Sequence, residues 1–156
     1  MPLSPYVAGL RRAVGSDLLL LPAVSVLPRD AVGRVLLVRQ ADDGRWGLVG
    51  GSIEVGEAPD EAAVREAREE AGVDVLLTRI ATAVGGPRFQ VEYPNGDRVA
   101  YVSVVYEARV VAGTPRPDGD ETTAVGWFTP GELARLPVNP FGRAVLADLG
   151  LPAGGG

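Results

Sequence analysis

The chain of 156 residues contains no cysteine, no histidine and no lysine, and all 15 of its basic residues are arginine. Each absence removes a class of chemistry. Without cysteine there is no disulfide or thiolate nucleophile; without histidine there is no imidazole base and no Ser-His-Asp triad; without lysine there is no Schiff base. Catalysis would fall to carboxylates, arginines, hydroxyls and whatever metal they hold. Basic runs are also missing, and a formal net charge of −5 opposes a polyanion, so no nucleic-acid partner is expected. No apolar run reaches the roughly 18 residues of a membrane span, since "LLLLPAVSVLP", Leu18 to Pro28, is short and broken by Pro22. Arg11 and Arg12 follow the first apolar residues instead of preceding them, unlike a secretory signal. The expectations are therefore a cytoplasmic protein with no membrane partner.

What is present suits one soluble domain. Hydrophobic residues make up 46% and charged ones 22%, and a chain of this length buries roughly two-thirds of its unfolded surface. We expect a single domain over 1–156: an N-terminal helix and lead-in strand in 1–21, a core in 22–149, and a flexible tail in 150–156. Ser4 and Pro5 start a short amphipathic helix carrying Leu10 and Val14. "AVSVLP", "RVLLVRQ", "VLLTRIATAV", "VAYVSVVYEARVV" and "TAVGWF" read as strands, "LVGG" as a brief one, and Asn95-Gly96 as a hairpin turn. "PGELARL" gives a helical turn and "NPFGRAVLADLG" a last helix. Helices and strands are interspersed without regular βαβ alternation, which predicts an α+β fold with a mixed sheet.

One segment carries unbalanced charge. "REAREEAG", Arg65 to Gly72, puts three glutamates into a helix predicted from about Pro59 to Ala71, with Gly72 as its left-handed stop. At about 100° per residue, Glu66, Glu69 and Glu70 share one arc and Val64, Ala67 and Ala71 lie opposite, which predicts one packing face and one face of oxygen ligands. Like charges at this spacing destabilise a helix. Either the face is simply solvated, or cations neutralise it; hard oxygen donors select Mg²⁺, with Mn²⁺ as a substitute.

The surrounding residues decide between these. Gly51, Glu57, Arg65, Glu66, Ala67, Glu69, Glu70, Gly72 and Val73 match the pattern G-x5-E-x7-R-E-U-x-E-E-x-G-U, U being aliphatic. This resembles the Nudix box, the signature of the Nudix hydrolases. The flanking "RVLLVRQADDGRWGLVGG" and "TAVGWFTPGEL" are similar to the family as well, so the likeness spans most of 22–148. Ala67 stands where the family usually has a larger aliphatic residue and Val49 where many members have proline; neither change removes an oxygen ligand.

The resemblance implies a Nudix fold, an α/β/α sandwich with a mixed sheet between helices, and hydrolysis of the diphosphate linkage of a nucleoside diphosphate derivative. Glu66, Glu69 and Glu70 would be metal ligands, with Gly50 offering its backbone carbonyl. Glu57 would hold Arg65, which would orient the carboxylates. For the general base, Glu69 and the acids of "DGDETTAV" (Asp118, Asp120, Glu121) both qualify, Glu121 being favoured. Arg39 and Arg88 are candidates for phosphate, and Trp46 and Phe89 for stacking on a base. ADP-ribose, suggested by the position of Pro87, and nucleoside triphosphates both remain as substrates. A non-catalytic nucleotide-binding module on the same fold is the alternative. The N-terminal helix with "LLLLPAV" exceeds what the core requires, so a homodimer is a further expectation.

Overall fold

The computed structural model describes residues 3–155. Helix α1, Pro5–Val14, is capped by Ser4, whose hydroxyl accepts from Val7 N–H at 3.2 Å. Strand β1 follows as Leu19–Pro28, then β2 (Val35–Gln40), β3 (Trp46–Gly47) and β4 (Val49–Ser52). Helix α2 is Pro59–Ala71, and β5 is Asp74–Val84. A 3-10 turn at Pro87–Phe89 leads to β6 (Gln90–Glu92), β7 (Arg98–Ala112) and β8 (Thr122–Phe128). Short α3, Pro130–Leu133, and α4, Pro140–Asp148, complete the chain, each with a side-chain cap from Thr129 or Asn139. The turn read at Asn95-Gly96 does join β6 to β7, with Gly96 at φ 88.

The strands form two sheets. In the larger, the order is β4-β1-β7-β5, and β6 pairs with the start of β7. Strand β1 runs parallel to β7 from Leu19↔Val99 to Pro28↔Ala108, while β4, β5 and β6 are antiparallel to their neighbours, so the sheet is mixed. The smaller sheet, β3-β2-β8, is antiparallel. Parallel pairing of β1 with β7 needs a long crossover, and the segment that crosses includes α2.

Two cores lie on opposite faces of these sheets. On one, Ala62, Ala63, Ala67 and Ala71 of α2 pack against Val24, Val26, Leu36, Val38, Val49 and Val75. On the other, Val145 and Leu146 of α4 pack with Leu27, Val35, Leu37, Val105 and Phe89. Alternation along β1 explains the split, since Val24 and Val26 face α2 while Leu27 faces α4. The outcome is the α/β/α arrangement. Helix α1 adds a small third cluster, Val7 with Leu21 and Val99.

Two boundaries differ from the sequence reading. The strand placed before residue 22 is not a lead-in: β1 starts at Leu19 and is fully paired with β7 from there. The tail expected to be flexible is tied down as far as it is described. Leu151 N–H donates to Leu146 O at 2.8 Å and Gly154 N–H to Leu133 O at 2.8 Å. Glycine is what permits this, because a Cβ at Gly154 would come within 3.0 Å of the Leu136 amide nitrogen. No helix among the described residues is long and apolar enough to cross a membrane.

Candidate active site

The site is built on α2 and the strand that faces it. Gly72, at φ 67, ends the helix in the left-handed conformation, and Asp60 and Glu61 complement the positive end of its dipole. Strand β4 runs so close to α2 that a Cβ at Gly51 would lie 2.8 Å from the Glu66 carboxyl carbon. Only glycine leaves room there for the glutamate.

The helix face is not arranged as its periodicity predicts. Glu66 and Glu70, 5% and 2% exposed, sit in the middle of the packed arc among the four alanines, while Val64 is only partly buried at its border. Glu69 is the solvent-facing member, with 56% of its side chain exposed. A helix in a soluble protein normally turns such charges to water; here two carboxylates are buried instead.

Arginine 65 organises the polar side. Its Nε and a terminal nitrogen donate to the two oxygens of Glu57 at 2.6 and 3.0 Å, a bidentate pair. The same guanidinium reaches Glu66 at 2.9 Å, Glu69 at 3.1 Å and the Ser52 carbonyl at 3.2 Å. Glu57 is consequently held below the usual carboxylate range, chiefly by its bonds from Arg65, whose own pKa is raised. Glu66 goes the other way: burial pushes it up to about 7, against the pull of Arg65 and with help from the charges of Glu69 and Glu121.

Glu70 has no arginine among the described residues. It accepts one 3.3 Å bond from Gly50 N–H, and burial followed by repulsion from Glu66 pushes its pKa well up. Glu121 is also raised, by burial and by the charges of Asp118, Glu69 and Asp120. Among the described residues no three acidic side chains already converge as a ready-made ligand group. The Arg65 fork holds Glu66 and Glu69, and Gly50 N–H holds Glu70. The donor set nevertheless fits a hard divalent cation, because it is all oxygen and contains two buried carboxylates whose charge only one cationic side chain offsets.

The structure thus brings Gly50, Glu57, Arg65, Glu66, Glu69 and Glu70 into one network, with Glu121 at its rim. Arg39 and Trp46 are direct cross-strand partners in the small sheet, and the Ala41 N–H two residues on donates to Glu121 O at 2.9 Å. Arg39 itself donates to Gly44 O at 2.9 Å, and the Trp46 ring meets Phe128 edge-on with centroids 4.8 Å apart.

Arg88 and Phe89 are not brought to the site. Phe89 is 1% exposed in the core beneath α4, edge-on to Phe141, and has no face left for a base. The sequence reading placed it in a loop; the 3-10 turn folds it inward. Arg88 pairs with Asp148 at 3.1 Å and lies over the Phe89 ring. Thr122 was not singled out from the sequence, and Asp118 only as a possible base; together they shape the loop bearing Glu121, and the polar run "DGDETT" was the one signal for Thr122.

Comparison with known proteins agrees with this geometry. The family model for the NUDIX domain matches residues 19–149. A MutT-like protein of Streptomyces ambofaciens is 36% identical over 102 residues, 65% of this chain and 59% of that relative, so the chain spans about three-fifths of its length. The nucleoside triphosphatase NudI of Escherichia coli is 31% identical over 127 residues, 76% of this chain and 89% of NudI. Among solved structures, a MutT NUDIX hydrolase from Burkholderia pseudomallei superposes with a TM-score of 0.66 at 28% identity, covering 83% of this chain and 97% of that one. With the box glutamates seated on α2 and most of the chain matched, the protein belongs to the NUDIX family.

Proposed function

We propose that the chain is a Mg²⁺-dependent hydrolase that cleaves a phosphoanhydride bond of a nucleoside triphosphate or a nucleoside diphosphate derivative such as ADP-ribose. The observation that carries this reading is the pair Glu66 and Glu70, two carboxylates kept in the interior of a helix interface at considerable free-energy cost. Retention of every acidic residue of the box supports catalysis over binding alone. Similarity to NudI over 76% of the chain supports triphosphates in particular.

Glu66, Glu69 and Glu70, with the Gly50 carbonyl, would hold the divalent ions. Bound there, Mg²⁺ would supply charge neutralisation at the phosphate oxygens and acidification of water. The residues of the chain do the rest. Arg65, locked by Glu57, fixes the Glu66 and Glu69 carboxylates and so sets the distance between ligands. Glu121, raised by burial and then by its acidic neighbours, is the base that takes the proton of the attacking water. Trp46 and Arg39, cross-strand partners on the face of the small sheet turned to α4, would need the substrate to reach past the sheet edge to serve as base-stacking and phosphate contacts.

The test is turnover of a panel of nucleoside triphosphates, ADP-ribose and other nucleoside diphosphate derivatives with Mg²⁺, by wild type and Glu70→Gln. The wild type should release pyrophosphate from a triphosphate, or two monophosphates from a diphosphate derivative, and the variant should lose most of that rate. Equal turnover by the two proteins would remove the assignment.

A further inference from the structure

The nine residues between β7 and β8, 113–121, lie across the carbonyl end of α2. The last carbonyls of a helix have no partner inside it, and this segment together with Thr122 supplies two. Arg116 N–H donates to Ala71 O at 2.9 Å, and Thr122 Oγ1 donates to Glu70 O at 2.8 Å. Gly113, at φ 86, passes so close that a Cβ there would come within 2.6 Å of Gly72 O. Two hydrogen bonds and one close backbone approach hold the segment and Thr122 against the helix.

The turn is then closed from within. Asp118 Oδ1 accepts from the N–H groups of Asp120, Glu121 and Thr122 at 2.8, 2.9 and 2.9 Å, and Asp118 N–H donates to Thr122 Oγ1 at 3.1 Å. Thr122 is fully buried, so its hydroxyl has no water to turn to. Glu121 sits between these two residues, and its carbonyl is held from the other side by Ala41 N–H.

We propose that Thr122 and Asp118 are positioning residues of the hydrolytic site, tying the 113–121 segment to the helix so that Glu121 keeps a fixed place relative to Glu66, Glu69 and Glu70. The tie is direct: the backbone carbonyl of Glu70 anchors Thr122, the residue that follows Glu121 in the chain. This rests on the role given to Glu121 above. Misplacing a reacting group by about 1 Å can cost on the order of 100-fold in rate, so the clamp has a measurable effect.

The experiment is a double-mutant cycle on kcat and KM, with the nucleotide that the wild type turns over fastest. Thr122→Val, which removes the hydroxyl at similar volume, should lower kcat by at least about 10-fold with KM changed less than about 2-fold. Thr122→Ser should retain at least half of kcat. In a Glu121→Gln background, Thr122→Val should cause no further loss beyond about 2-fold, because it acts through the residue already disabled. Asp118→Ala, which opens the turn and leaves the Glu70 contact in place, should behave in the same way and serves if Thr122→Val does not fold. Additive losses, or a Thr122→Val enzyme as fast as wild type, overturn the positioning role alone. A Glu121→Gln enzyme as fast as wild type overturns the earlier role of Glu121 and this proposal with it.

Discussion

If Glu70 is kept for the reaction and not for the fold, neutralising it should stabilise the metal-free protein. The carboxylate is 2% exposed, has one 3.3 Å hydrogen bond and is repelled by Glu66, itself 5% exposed. An ion buried this deeply carries an effective penalty of several kcal/mol, and among the described residues no arginine reaches Glu70 to offset it. Glu70→Gln keeps the volume and the acceptor for Gly50 N–H, and its amide can donate to Glu66. In EDTA at pH 8 we expect the variant to be more stable by about 1–4 kcal/mol, the range for replacing buried ionic groups by neutral residues of similar volume. For a domain of this size each kcal/mol raises Tm by about 2–4 °C.

Magnesium should reverse the order. A ligand at about 1,000 times its Kd stabilises the native state by about 4.1 kcal/mol, enough to exceed that advantage; the gain is open to wild type and largely lost in the variant. Scanning calorimetry of both proteins, in EDTA and in saturating Mg²⁺, gives four midpoints and one crossing. If Glu70→Gln melts below wild type in EDTA, the carboxylate is stabilising the fold and the reasoning fails. If Mg²⁺ raises both midpoints equally, Glu70 is not a ligand.

The pH dependence has a definite sign. Glu66 rises from an ordinary 4.5 to about 7 in the fold, so between those values the native chain holds a proton that the unfolded chain has lost. Its contribution is complete below pH 4.5 and disappears as pH rises through 7, a loss of ~3 kcal/mol at about 1.36 kcal/mol per pH unit; urea denaturation in EDTA at several pH values should show it, and stability flat across that window would refute it. Gly51→Ala places a Cβ 2.8 Å from the Glu66 carboxyl carbon on a strand that is hydrogen-bonded to β1 and cannot retreat. The overpacking should cost about 1–3 kcal/mol and reduce turnover, both measured on one preparation; an unchanged enzyme would mean the two elements are not in register. Arg65→Lys breaks the fork to Glu57 and the links to Glu66 and Glu69 together. Loss of such an outer partner should lower kcat by about 10–100-fold, and a steady-state assay finding less than 2-fold would remove the orienting role.

How far the sequence could be read depended on what kind of information each residue carried. Strand alternation in "VAYVSVVYEARVV", the Asn95-Gly96 turn and the Gly72 stop are local signals, and each appears in the fold where it was expected. The nine box positions were legible because they match the spacing of the Nudix box, a family pattern, and not because any local rule predicts them. Phe89 was misread because whether an aromatic residue in a short connection turns inward depends on α4, about fifty residues later in the chain. The tail was misread for a related reason: glycines that weaken local structure also allow the closest backbone approach, and only the tertiary fold says which effect wins.

The helix face is the instructive case. Amphipathic periodicity assumes that charge seeks water, and on that rule Glu66 and Glu70 belonged opposite the alanines. In the fold they lie among them, because the alanines are small enough to bring α2 close to β4 and Gly51 has no side chain to block the gap. The same small residues that make the helix look like a simple packing surface are what let a pair of carboxylates be buried within it. Ala67 then acquires a reason. A larger aliphatic residue there, as the family usually has, would fill more of the space beside Glu66 and Glu70, and Ala67 is already 0% exposed. Substituting Ala67→Val should therefore strain the α2 interface by about 1–3 kcal/mol unless the strands opposite yield. If the variant is instead more stable in EDTA and as active in Mg²⁺, the alanine is a cavity that this chain has left unfilled, and the close packing of helix on strand is not what positions the two carboxylates.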